Sequence, residues 1–309
     1  MIDYFQYLVS QPAFIASIDF FIYDTIKIFV LLVVIIFVIS VVRSFLPPER
    51  IRQFLVKRNE YIGNILASIL GIITPFCSCS AVPLFLGFVE AGIPLGVTFS
   101  FLVASPMINE VALVLLFSLF GWQIALLYII SGLIIAIASG IIIGKLRIEH
   151  LVADFIFKTR NNSAAFVNQL SWSDRLTYAW GYTLSILKKV WPYIIIGVGL
   201  GAIIHGYVPT DFLARYAGAN RWYAVPLAVL FGIPLYSNAA GVIPLVSVLT
   251  EKGVAMGTAL SFMMAVTALS LPEFMILKKI MKTKLILLFA GVVGLGIMFT
   301  GYLFNFILR

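Results

Sequence analysis

Charge is scarce in this chain: of 309 residues, 11% are Asp, Glu, Lys or Arg, against 62% apolar. Soluble domains carry about a quarter charged residues, so a water-soluble enzyme is excluded. Between Tyr61 and Gly144 the only charged side chains are Glu90 and Glu110. Cysteine and histidine are rarer still, with two of each: Cys77 and Cys79, His150 and His205. A structural zinc site needs four ligands, and the two histidines lie far from the cysteines in sequence. No Walker-type phosphate loop occurs, which excludes ATP hydrolysis within this chain. The glycines of Gly197-x-Gly199-x-Gly201 sit inside an apolar run with no strand before them, so they read as close helix packing. A basic n-region is also missing from the N-terminus, where Asp3, Asp19 and Asp24 surround a lone Lys27. The opening does not read as a signal peptide; residues 1–25 are expected to lie on the membrane as an interfacial segment.

What is present is a series of long apolar runs, and the mean hydropathy is +1.08. Eight stretches stand out, at roughly 26–46, 61–89, 93–119, 121–144, 185–206, 222–250, 254–277 and 284–307. About 20 apolar residues span a bilayer as a helix, and a barrel strand needs only about ten. The fold class is therefore all-α, a polytopic helical membrane protein. The net charge of +8 is no nucleic-acid footprint, because sixteen of the 21 basic residues fall in three short stretches. These are Arg43 to Arg58, Lys145 to Lys189 and Lys278 to Lys284, the flanking clusters that the positive-inside rule places on the cytoplasmic face.

The two halves resemble each other. An offset of 161 residues pairs Pro83 with Pro244, Glu90 with Glu251, Gly92 with Gly253, Gly96 with Gly257, and Ser100-Phe101 with Ser261-Phe262. Eight crossings would put the basic cluster after the fourth stretch on the wrong side. If 61–89 and 222–250 are instead re-entrant hairpins, all three clusters become cytoplasmic. Each half then has about three crossings plus one broken hairpin, and the odd number makes the repeats inverted. Eight crossing helices, some discontinuous, remain the alternative. The expected layout is a first membrane repeat over 26–144, a cytoplasmic linker over 145–184 and a second repeat over 185–309.

The centres of the two broken stretches, Pro75-Phe76-Cys77-Ser78-Cys79-Ser80 and Pro234-Leu235-Tyr236-Ser237-Asn238, are poor helix formers. Non-helical backbone at membrane depth is tolerated where it is buried in protein or lines a wet cavity. Residues i and i+2 lie about 200° apart on a helix but on one side of an extended segment. An unwound Cys77-x-Cys79 therefore suits a soft, two-coordinate centre such as Cu(I) or a trivalent organoarsenical. A reversible disulfide and simple apolar packing are the other readings of the pair. Ser78, Ser80, Tyr236, Ser237, Asn238 and Asn109 offer polar contacts to a substrate. Glu110 and Glu273 each sit beside a proline break in an apolar run, where an ionisable group reads as a proton-coupling or cation site. The alternative is that each pairs with a neighbouring helix or reaches the interface.

The run Thr74-Pro75-Phe76-Cys77-Ser78-Cys79-Ser80-Ala81-Val82-Pro83-Leu84 resembles the predicted permeases of the YraQ/ArsP type. So do Ala91-Gly92-Ile93-Pro94-Leu95-Gly96-Val97-Thr98-Phe99-Ser100-Phe101 and Ala104-Ser105-Pro106-Met107-Ile108-Asn109-Glu110. The match is specific over about residues 74–115, and the second half also fits the family's pattern. The resemblance implies a multi-pass permease of the bacterial plasma (inner) membrane, in a family that includes exporters of trivalent organoarsenicals and relatives associated with soft-metal efflux. The expected function is ion-gradient-coupled efflux of a thiophilic solute, a metalloid or soft metal held by Cys77 and Cys79, with no cofactor and no enzymatic step. The expected partners are the lipid bilayer, the solute and a coupling proton; nucleic acid is excluded and homo-oligomerisation is left open. Two rival classes are a membrane thiol-disulfide oxidoreductase using Cys77 and Cys79, which lacks the second cysteine pair that such enzymes use as a relay, and a non-transporting membrane subunit of a complex.

Overall fold

The computed structural model describes residues 12–45, 59–74, 78–146, 148, 151–152, 172–207, 221–235, 239–278 and 280–308. Among them are twelve helices: α1 Pro12–Phe45, α2 Glu60–Ile73, α3 Ser78–Glu90, α4 Leu95–Met107, α5 Glu110–Phe120, α6 Trp122–Lys145, α7 Trp172–Tyr207, α8 Ala224–Gly232, α9 Ala239–Glu251, α10 Met256–Ala268, α11 Leu271–Leu277 and α12 Thr283–Ile307. No strand occurs among the described residues, where an isolated bridge joins Val152 to Met281. Trp122–Lys145, Met256–Leu277 and Thr283–Ile307 are each long and apolar enough to cross a bilayer; α4 and α5, bent by 45°, make a fourth such span if taken together. The protein is an all-α membrane protein. Helix α1 takes in part of the segment expected to be interfacial, while residues 1–11 lie outside the described residues. Helix α7 begins at Trp172, inside the interval read as linker, and residues 153–171 of that interval also lie outside them.

Each break in the apolar runs has a local cause. Proline disfavours helical backbone in the residue before it, and α2 ends at Thr74, which is extended (φ −93°, ψ 121°) before Pro75. The Thr74 hydroxyl donates at 2.8 Å to the Leu70 carbonyl, which also accepts the Thr74 N–H, and reaches the Gly71 carbonyl, one of the acceptors freed at the helix end, at 3.2 Å. Pro106 lies in the last turn of α4, and Ile108 leaves helical geometry directly after it. Helix α11 starts with Pro272 in its first turn, a position where a missing N–H costs nothing. Two turns reverse the chain in the same way. The Ile93 N–H donates to Phe88 and the Gly92 N–H to Val89, and likewise Val254 to Leu249 and Gly253 to Thr250. In both, the glycine has φ near +80° (78° and 84°), a conformation that side chains resist.

Helices α4 and α10 form the centre. Every residue of α4 from Leu95 to Met107 is buried, as is every residue of α10 from Gly257 to Ala268. Lipid offers no hydrophobic drive between helices, so small residues that let backbones approach supply the packing. A Cβ on Gly96 would stand 2.5 Å from the Gly140 carbonyl oxygen, and one on Gly257 would strike the Gly301 carbonyl oxygen. A Cβ on Gly71 would meet Ala104, the Phe101 carbonyl and the Ser105 nitrogen; one on Gly232 would meet Ala265, the Phe262 carbonyl and the Val266 nitrogen. Every partner in the second set lies 161 residues after its counterpart in the first. One difference is polar: Ser100 Oγ donates to Asn64 Oδ1 at 2.9 Å, whereas Val225 stands at the matching position beside Ser261 and Gly301.

Long helices join the halves. Helices α1 and α7 pack together, with Phe37 edge-on to Trp180 at 6.0 Å between centroids and Phe21 3.6 Å from where a Gly199 Cβ would stand. Residue numbers rise along one helix as they fall along the other, so the two run antiparallel. A Cβ on Gly296 of α12 would lie 3.3 Å from Ile135 of α6, and these residues are themselves 161 apart. Lys282 N–H, at the start of α12, donates at 2.8 Å to the Leu151 carbonyl, six residues past the end of α6. These two helices are antiparallel as well.

Candidate functional site

Among the described residues the buried carboxyl group is Glu273. It lies in the first turn of α11 and is 0% exposed, next to the N-cap residue Ser270 at 1%. Neither carboxyl oxygen of Glu273 nor the Ser270 hydroxyl has a hydrogen-bond partner among the described residues. The spacing Ser270-x-x-Glu273 is that of a capping box, yet no side-chain capping bond is formed there. The Leu271 N–H instead donates at 2.9 Å to the Ile233 carbonyl, directly before the second broken centre at Pro234. Helix α11 also packs against α3 and α7, and α3 begins at Ser78, directly after the first break. The helix that carries Glu273 thus packs on α3 and is tied by its first N–H to the residue before Pro234, so it lies near both interrupted stretches.

Glu110 is placed differently. It opens α5 and is exposed, while Asn109 caps the helix by accepting the Ala112 N–H at 2.7 Å. Asn109 and Ser270 are 161 apart, so the same position is committed to capping at one break and uncommitted at the other. Ala112, fully buried, stands where Glu273 stands in the second half. Ser78, Cys79 and Ser80 form the first turn of α3. Cys77, Tyr236, Ser237 and Asn238 lie outside the described residues, as does their placement relative to one another.

A family model described as a predicted permease, ArsP_1, matches residues 14–306. The chain belongs to that family. It is a membrane permease and not an enzyme. It is 29% identical over 259 residues, 81% of this chain and 82% of the other, to a protein of Streptococcus mutans named "Putative two-component membrane permease complex subunit". It is 24% identical to the UPF0718 protein MJ0584 of Methanocaldococcus jannaschii, across 84% of this chain and 86% of that one. To the UPF0718 protein YraQ of Escherichia coli it is 23% identical across 83% and 71%. No solved structure matches the chain.

Two polar groups of this permease escape a reading of the sequence. Ser270 carries a signal, the capping-box spacing. Tyr128 carries none, lying among apolar neighbours in α6. It is fully buried, and its hydroxyl donates at 2.9 Å to the Met107 carbonyl at the end of α4. One phenol thereby ties α6 to α4 at the break after Met107.

Proposed function

We propose that this permease is a secondary, ion-gradient-coupled exporter of the bacterial plasma membrane, built of two inverted halves and moving a thiophilic small solute such as a trivalent organoarsenical or soft metal. The observation that carries the reading is the uncommitted, buried Glu273 on a helix that lies near both interrupted stretches. An ionised carboxylate without a partner costs several kcal/mol in such surroundings, and in membrane proteins such groups mark ion and substrate pathways. Cys77 and Cys79 take the solute at the first break; Tyr236, Ser237 and Asn238 face them from the second.

Several contacts support the inversion. Glu60, Tyr61, Pro94, Leu95 and Lys145 line one cleft, and Lys145 Nζ stands 5.8 Å from the centroid of the Tyr61 ring. The starts of α2 and α4 and the end of α6 therefore share a face, with the start of α12 beside them through Leu151 and Lys282. The Trp222 carbonyl accepts the Tyr302 hydroxyl, and Thr258 N–H donates to Asn305 Oδ1 at 3.1 Å. The starts of α8 and α10 thus meet the end of α12, at the other end of that helix. On this reading α2–α3 and α8–α9 are hairpins entering from opposite sides, and the basic ends, Lys145 and Lys282 among them, are cytoplasmic. Single cysteines at Arg52→Cys, Lys158→Cys and Lys282→Cys, in a background with Cys77 and Cys79 replaced by Ser, should all resist an impermeant thiol reagent in intact cells. Labelling of the Lys158 site alone would restore eight crossings.

The functional test is transport in vesicles of purified protein, with a panel of organoarsenicals, soft metals and small anions. Glu273→Gln keeps the side chain's shape and removes its charge. Net export against a gradient should fall at least about tenfold, the equivalent of about 1.4 kcal/mol, while exchange of solute across the membrane persists. Loss of exchange together with net export would mean that Glu273 is structural. A second reading, one subunit of a permease complex, is favoured by the name of the Streptococcus mutans relative. It predicts vesicles that stay silent until a second subunit is supplied.

A further inference from the structure

The coupling ion can be named from the uncommitted oxygens at the break between α10 and α11, on the reading that this chain is a gradient-coupled permease. Three side-chain oxygens, two from Glu273 and one from Ser270, are buried there without a hydrogen-bond partner among the described residues. The first half shows what a merely structural break looks like. There Asn109 caps α5, Ala112 fills the position of Glu273, and Glu110 turns to the exposed surface. The second break has the residues of a capping box but none of its side-chain bonds.

We propose that Ser270 and Glu273 form a binding site for a sodium-sized monovalent cation, which serves as the coupling ion. The donor set is all oxygen, which suits a hard cation over a soft one. Helix α10 ends at this same break, and interrupted membrane helices use the carbonyls of such ends to hold sodium. The charge balance selects the valence. One carboxylate neutralises one monovalent ion, whereas a divalent ion would leave a net positive charge in a core lined by Leu269, Ile276 and Leu277, all buried. A proton fits the geometry less well. Carried on Glu273, it would create a buried O–H donor with no acceptor among the described residues. A cation draws on oxygen lone pairs alone and adds no donor. The neighbours α3 and α7 carry Glu90, Asp174, Arg175, Lys188, Lys189 and His205 in sequence; of these, Asp174, Arg175 and Lys188 have described side chains, and none of the three is bonded to a Glu273 oxygen.

The test is equilibrium binding of radioactive sodium to the full-length protein in lipid nanodiscs, with choline chloride holding ionic strength constant and no solute present. The wild type should bind one ion per chain, saturably, displaced by unlabelled sodium and not by choline. Glu273→Gln should abolish binding, and Ser270→Ala should weaken it about tenfold, the value of one good hydrogen-bond-strength contact. Glu251→Gln, at an exposed position, should leave it unchanged. Absence of saturable binding in the wild type, or binding unaltered by Ser270→Ala and Glu273→Gln, overturns the proposal. Should Glu273→Gln fail to fold, the wild-type isotherm and Ser270→Ala decide alone. Export driven by a proton gradient in protein that binds no sodium discards the site and keeps the permease reading. Sodium bound at Glu273 by protein that moves no solute keeps the site and discards the reading of a gradient-coupled exporter.

Discussion

Replacing either Cys77 or Cys79 by Ser is expected to remove most export of a two-coordinate thiophile, while the double variant is scarcely worse than either single one. The chain has no third cysteine, so one substitution leaves a single soft ligand. Loss of even an outer partner at a metal site costs about 10–100-fold in affinity, and loss of a direct ligand should exceed the upper end of that range. The non-additivity follows from the chemistry: a dithiol acts as a unit, and half of it has little value to a centre that needs both sulfurs. A methylated trivalent arsenic has two exchangeable positions and can be filled by the pair, whereas arsenite has three. Because a thiol must shed its proton to ligate, binding of a bare soft cation such as Cu(I) should release protons and tighten as pH rises, whereas an oxygen-bound arsenical carries those protons off as water. Isothermal titration with a phenylarsenoxide probe reads the loss of affinity, and titration with Cu(I) in two buffers of different protonation enthalpy reads the proton release. Export by the two single Ser variants at the parent's rate would leave the pair a packing feature and turn the substrate towards a hard or organic solute.

The second large effect is on folding. Gly96→Ala and Gly257→Ala should each cost about 3 kcal/mol or more, at the upper end of what overpacking exacts. The atoms nearest the added methyl are backbone: Gly140 and Gly144 in one half, Gly301 and the Asn305 nitrogen in the other, with Asn305 Oδ1 beside them. Neither helix pair can absorb the methyl by a rotamer change, so α4 must move from α6, or α10 from α12. Gly181→Ala and Gly291→Ala provide the control, since a Cβ at either has nothing within 4 Å. Yield of monodisperse protein and reversible unfolding in mixed micelles would give the ranking. Tolerance of alanine at Gly96 and Gly257 would show that the helix pairs are not held by close backbone approach.

Much of this architecture is legible from residue order because the bilayer simplifies the problem. A segment must be apolar for about 20 residues to cross, and a proline inside it removes a backbone donor and favours a break. Helix breaks fall at Thr74, Ile108 and Leu269, within three residues of Pro75, Pro106 and Pro272. Pro83 and Pro192, by contrast, are carried inside continuous helices, and the paired glycines at 92 and 253 reverse the chain. The start of α7 was less legible. Trp172 to Lys189 is polar enough to read as linker, but a helix can run out of the apolar zone once its charged side chains are solvated.

The 161-residue likeness, the three basic clusters and the family motif around Cys77 and Cys79 belong to the sequence by itself, and they suffice for a helical membrane permease. The fate of the two carboxylates does not follow from order alone. Glu110 and Glu273 look alike on paper, each just past a proline in an apolar run. A shift of two residues within the first turn rotates a side chain by about 200°, and that rotation leaves Glu110 on the exposed side of α5 and turns Glu273 into the core. What lies in that core is contributed by distant segments, the end of α8 through Ile233 and the α3 and α7 helices packed on α11. Only tertiary packing therefore decided which carboxyl group is buried, and that Ser270 beside it is left without a capping role.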